Sequence, residues 1–200
     1  MKTLMSLFTI LLTATICQAQ EMPKYLAEYR DICVEAKNAF RAHDIDALSA
    51  SITKFDNIAT ESINITIQEG CEVDDTDFHF TADWLDYQLC AWLDSTYQVH
   101  YMHRGGHVLT EHVKVKANST ATVTLSGMGK MSLIVIAEDD TNIQMKVEQQ
   151  ACNHQYQSTQ PARNGCQEHC WYADSDDNES IILAITNPAD HDIVCLIVSD

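Results

Sequence analysis

Cys152, His154, Cys166, His169, Cys170 and Trp171 crowd into one polar stretch, Gln149 to Glu179, which holds three of the eight cysteines in the chain. The run CQEHC at 166–170, with Cys152 and His154 upstream, offers the sulfur and nitrogen donors that close a tetrahedral zinc site. The ligand spacing matches no standard finger. In an oxidising compartment the same cysteines form disulfides instead. A third chemistry is nucleophilic, with a Cys166 thiolate and His169 as its base three residues on. Long connections between strands are uncommon unless they serve a function or lack order. We therefore read the stretch as a cysteine-stapled loop between two strands and take these six residues as the candidate binding loop.

Two other clusters could hold a cation. Asp174, Asp176 and Asn178 form a D-x-D-x-N pattern that supplies alternating oxygens, as calcium loops do. There is no glycine at the sixth position, and Ile185 stands at the twelfth, which excludes an EF-hand. Calcium held in a sandwich loop remains open, as does a solvated acidic turn. His100, His103, His107 and His112 lie across a candidate hairpin, where His103, His112 and Glu111 could take a transition metal. Neither HExxH nor HxxEH occurs, so the metalloprotease signatures are missing and exposed strand histidines are the competing reading. SGMGKMS at 126–132 lacks the glycine and hydroxyl positions of a phosphate loop, and no GxSxG elbow is present. No residue is assigned as catalytic, and no cofactor beyond calcium is implied.

The compartment follows from the first nineteen residues, which read as a secretory leader. Lys2 is followed by an apolar run from Leu4 to Ile16, and Cys17 and Ala19 satisfy the small-residue cleavage rule. Lipidation of Cys17 is the alternative, although Ile16 stands where a small residue is wanted. Removal of the leader leaves 11 basic against 29 acidic residues, a formal charge of −18. Such a surface repels phosphate backbones and anionic headgroups, which excludes nucleic acid and leaves a protein or glycan as partner. No apolar run after the leader is long enough to span a membrane. Seven cysteines then remain, an odd number, so at least one stays a thiol or pairs with another chain.

The elements that must position these groups fall into two regions, a helical one at 20–96 and a β-rich one at 97–200. Leu26, Tyr29, Cys33, Ala36 and Phe40 repeat at helical spacing after Pro23. Ile45, Leu48, Ile52, Phe55 and Ala59 do so after Asp44, a suitable N-cap. The two predict an antiparallel helical hairpin. Ile63, Ile65 and Ile67 alternate as a short strand, and a third helix from Thr81 turns Leu85, Leu89 and Trp92 inward. Residues 97–103 are expected to pair with 108–116 through a turn at Arg104, Gly105 and Gly106.

Further strands are expected at 121–125, 131–137, 142–148, 180–186 and 193–199. Those at 133–136 and 193–198 are apolar on both faces, which makes them central. The pattern predicts an α+β protein, a helical hairpin packed with a C-terminal antiparallel, jelly-roll-like β-sandwich.

The runs RGGHVLTEHVKVKA, MSLIVIAED and AITNPADHDIVCLIVSD, within Arg104 to Asp200, resemble the C-terminal sandwich of secreted proteins from Gram-negative gut bacteria. More loosely, they are similar to pre-peptidase C-terminal domains. The match covers about half the chain and departs from that pattern in the cysteine-bearing stretch and in the helical hairpin before it. The resemblance implies a non-catalytic binding or stabilising role in a secreted or periplasmic protein. A secreted hydrolase with a metal or thiol centre is the competing class.

Overall fold

The computed structural model describes residues 21–72, 80–93, 107–126, 132–150, 153–171 and 180–200. The leader expected at 1–19, the strand expected at 97–103 and the turn expected at Arg104 to Gly106 lie outside the described residues. Among the described residues there are three helices and eleven strands. Helix α1, Lys24–Ala42, is followed by α2, Ile45–Phe55, whose N-cap Asp44 accepts a hydrogen bond from the Ala47 amide at 3.0 Å. Tyr29 and Phe55 meet edge to face at 5.4 Å and lock the pair together. Helix α3, Ala82–Trp92, starts at Thr81 and stacks Trp92 on Phe40 of α1. The helical hairpin anticipated from the 3-4 spacing is thus present, with α3 added to it.

The strands are β1 (Ala59–Ser62), β2 (Asn64–Glu69), β3 (Cys71–Glu72), β4 (His107–Val115), β5 (Ser119–Ser126) and β6 (Ser132–Ala137). They continue with β7 (Gln144–Gln149), β8 (His154–Gln157), β9 (Cys166–Cys170), β10 (Ile181–Asn187) and β11 (Ile193–Ser199). One sheet runs β1-β4-β11-β6-β9, with β3 also on β4; the other runs β2-β5-β10-β7-β8. The last eight strands thus divide into two four-stranded sheets, β4-β11-β6-β9 and β5-β10-β7-β8, and consecutive strands change sheet except for the hairpin of β7 and β8; with the first beside the last, this is jelly-roll connectivity. The protein is α+β, a helical hairpin on an antiparallel β-sandwich.

Two cores explain the strand patterns. Val113, Val123, Leu133, Val135, Met145, Leu183, Cys195 and Ile197 fill the space between the sheets. Ile134, Ile136, Leu196 and Val198, on the opposite face of the first sheet, pack against Leu26, Cys33, Ala36, Leu48 and Leu85 of the helices. That is why β6 and β11 are apolar on both faces: one face meets the other sheet, and the other meets the helices. Among the described residues the second sheet has no such cover, and its strands alternate, as in β10, where Ile181, Leu183 and Ile185 are buried between half-exposed neighbours.

The two lateral edges of the sandwich close differently. Beside β4 and β5, a continuous segment crosses from one sheet to the other: β1 pairs with β4, β2 with β5, and buried Ile63 between them donates its amide to Thr110 O at 3.0 Å. At the other edge β8 and β9 face each other, with no such crossing strand among the described residues. This corrects the reading of 149–179 as one long loop. Its N-terminal part is two edge strands, polar because each has a face or edge open to solvent.

The helical layer is fastened by Lys37, which is 1% exposed. Its Nζ donates to Ala137 O at 3.0 Å, to Asn164 O at 3.1 Å and to the Asp140 carboxylate, so all three protons are used. Gly165, next to Asn164, has φ +73°, and a Cβ there would lie 2.7 Å from Asp140 Cα; only glycine lets the β8–β9 connection sit on the β6–β7 turn. Burial alone would raise the Asp140 carboxyl, yet hydrogen bonds from Lys37 and Arg41 hold it below the usual carboxylate range. Lys37→Ala is expected to cost about 3 to 5 kcal/mol in urea unfolding, because it strips the buried partner from Asp140 and two carbonyls. Asp140 contributes stability above the ordinary carboxylate pKa of about 4, and that contribution is lost as pH falls through its lowered folded value, so the urea midpoint should fall further in that acid range.

Candidate functional site

The edge between β8 and β9 gathers ring side chains from both sheets. Strand alternation puts His154 and Tyr156 on one face of β8, and His169 and Trp171 share the corresponding face at the end of β9. His154 Nε2 and His169 Nε2 lie 2.8 Å apart, in rings only 15° from parallel with centroids 5.0 Å apart. That centroid separation nearly equals the nitrogen contact plus the two ring radii, so the nitrogens meet head-on in the ring plane. This is the geometry of an N–H···N hydrogen bond, in which one imidazole donates and the other accepts. A metal held between two nitrogens would need them farther apart or turned toward a common point.

The other rings support this pair. Tyr156 lies face to face on His169, with centroids 3.6 Å apart. Trp171, 3% exposed, is parallel to both imidazoles and donates its Nε1 proton to Gln149 Oε1 at 2.8 Å, which fixes the ring at the margin of the inter-sheet core. Burial lowers the pKa of His154; burial and then the neighbouring His154 push His169 down to about 4. Both imidazoles are therefore neutral near pH 7, as a shared single proton requires.

The six candidate residues do not form one centre. Cys152 lies outside the described residues, as do Asp174, Asp176 and Asn178 of the calcium pattern, and His100 and His103 of the histidine cluster. Cys166 and Cys170 have the parity opposite to His169 on β9. Cys166 packs against the helical core, and the Cys170 thiol lies 3.6 Å from Met22 Sδ. Pleating thus separates the sulfur donors from the imidazoles, which removes CQEHC as a shared zinc site and His169 as a base for Cys166. Cys166 and Cys170 cannot staple to each other either, since four residues of strand hold them about 13 Å apart. Among the described residues no disulfide is present. His112 lies 3.6 Å from Glu111 on β4, and His107 pairs with Glu61 at 3.0 Å.

His154, His169 and Trp171 are thus brought together, and the sequence reading missed their partners Tyr156 and Gln149. A signal was available: HQYQ at 154–157 alternates rings with glutamines at the period of a strand. It was masked by the polarity of the surrounding stretch.

No family model matches the chain, and no curated protein matches it. Among solved structures it is similar to PliG of Aeromonas hydrophila, a periplasmic lysozyme inhibitor of g-type lysozyme. That match has 12% identity and a TM-score of 0.33 over 72% of this chain and 96% of that one. It is also similar to a mutant of the family 29 carbohydrate binding module CBM29-2, at 12% identity and a TM-score of 0.27, over 46% of this chain and 70% of that one. Likeness at this level carries no functional argument, so the site is read from its own residues.

The imidazole pair gives a pH signature. With His169 at about 4 in the folded protein and about 6.5 when unfolded, the unfolded chain binds the proton first on acidification. Stability is complete above about pH 6.5 and falls as pH drops toward about 4. The urea midpoint should decline across that window, and His169→Gln should flatten the decline.

Proposed function

We propose that the protein is a non-enzymatic binding protein of the secreted or periplasmic space, and that the β8–β9 edge is its recognition surface for a glycan. The observation that carries this reading is the set of parallel rings, His154, Tyr156, His169 and Trp171, at the sandwich edge that no strand among the described residues closes. Ring faces pack against the C–H faces of sugars, and imidazole nitrogens exchange hydrogen bonds with hydroxyls without charge. A neutral, pre-ordered cluster loses little entropy on binding. The acidic surface speaks against anionic partners, and a neutral glycan avoids that repulsion.

The thiol chemistry speaks against the competing hydrolase. Burial pushes the Cys166 thiol up to about 11 and raises Cys170 as well, so neither is held as a thiolate near neutral pH. The imidazole that could serve as base is instead engaged with a second imidazole.

A panel of immobilised neutral polysaccharides, read by retention of the purified protein, tests the proposal. Retention on at least one member is expected. Tyr156→Ala should weaken it about tenfold, equivalent to about 1.4 kcal/mol, with the fold intact by circular dichroism. Capture of polypeptides alone, or binding indifferent to Tyr156, would overturn the glycan reading.

A further inference from the structure

Helix α1 and Met22 just before it pass over β9, and three contacts fix the register between them. Met22 Sδ meets the Cys170 thiol at 3.6 Å, Arg30 pairs with Glu168, and Lys37 Nζ donates to Asn164 O at 3.1 Å. As the helix advances, its partners on and beside β9 recede, so the two run antiparallel. Cys33 falls between Arg30 and Lys37 on the same helical stripe, at spacings of three and four. Cys166 falls midway between Asn164 and Glu168 and has the parity of Glu168. The flanking contacts therefore bring Cys33 over Cys166. Both belong to the core between the helices and the first sheet, where Cys33 is fully buried and Cys166 packs at the margin. Burial, and then the adjacent Cys166, raise the Cys33 thiol.

We propose that Cys33 and Cys166 form a disulfide that clamps helix α1 to strand β9 when the chain matures in an oxidising compartment. The proposal rests on the extracytoplasmic part of the functional reading, because the bond needs a disulfide-donating protein as oxidant. The Cys166 thiolate attacks a sulfur of the donor disulfide, forming a mixed disulfide and releasing one donor thiol. The Cys33 thiolate then attacks the Cys166 sulfur and releases the second donor thiol. Two cysteine protons are given up, and the donor is reduced to its dithiol. Burial of Cys33 places this exchange before the helix docks, while its thiolate is still accessible. The pairing bridges the helical layer and the sandwich, which also share packing and polar contacts that include those of Tyr25, Lys37, Arg30 and Arg41.

The test is non-reducing peptide mapping of the full chain exported to the bacterial periplasm. It is alkylated under denaturing conditions and cut with trypsin and a glutamate-specific protease. Cleavage after Glu168 separates Cys166 from Cys170. The expected product links residues 31–35 to residues 164–168, lacks two hydrogens relative to the free peptides, and disappears on reduction. Reductant should lower the melting temperature of the wild type. It should do so less in Cys33→Ala and Cys166→Ala, and the double variant should resemble either single one. Full alkylation of both cysteines, or Cys33 linked to any other cysteine, would overturn the pairing. In a second arm the full chain is made in the reducing cytoplasm and exposed to a glutathione redox pair. A linked peptide there, with no export in the first arm, would support the pairing and reject the compartment. Free Cys33 in that arm would reject the pairing itself.

Discussion

The ammonium of Lys37 holds three parts of the chain that are remote in sequence: helix α1, the turn between β6 and β7, and the connection between β8 and β9. A buried cation is tolerated only when its protons are all engaged, and the two carbonyls and the Asp140 carboxylate meet that demand together. The helix cannot slide along β9 without leaving the charge unpaired. The polar contact thus supplies what apolar packing does not, a single register between the helical layer and the first sheet.

That register has consequences on both faces of β9. Toward the helices it aligns Cys170 with Met22, Glu168 with Arg30 and Cys166 with Cys33. Toward the sandwich it leaves Gln167, His169 and Trp171 to finish the inter-sheet core. Gln167 is buried and donates to Ile143 O and Gln160 O, tying the strand to the β7 side of the sandwich. A strand of five residues therefore serves two interfaces with alternate side chains, which explains its mixed composition. The edge it shares with β8 is closed by rings, whereas the opposite edge is closed by backbone passing through Ile63. Closure by side chains leaves half-buried groups within reach of solvent and of ligands, and it makes that edge sensitive to the protonation of two imidazoles.

The fold was legible where local and tertiary demands agree. Apolar spacing in α1 and α2 marked the hairpin, and the Asp44 cap marked the start of its second helix. The doubly apolar runs of β6 and β11 marked them as central, because a strand flanked by two cores has no polar face. The last turn follows Asn187, whose fully buried side chain donates to the carbonyls of Val115, Lys116 and His191. The edge strands β8 and β9 were not read as strands, since neither buries enough apolar surface to stand out from the polar stretch around it, even though β8 alternates rings with glutamines.

By itself, then, the sequence determined the class of the protein, its central strands, its helical face and its acidic charge, all of which follow from the number and period of residue types. It also supplied the residues of the site without their grouping. Only the tertiary structure decided that His154 and His169 meet while Cys166 and Cys170 turn away. In a strand, side-chain direction alternates, so neighbours in sequence such as His169 and Cys170 face different interfaces. Partners are instead chosen by sheet pairing and by the docking of a helix more than a hundred residues away.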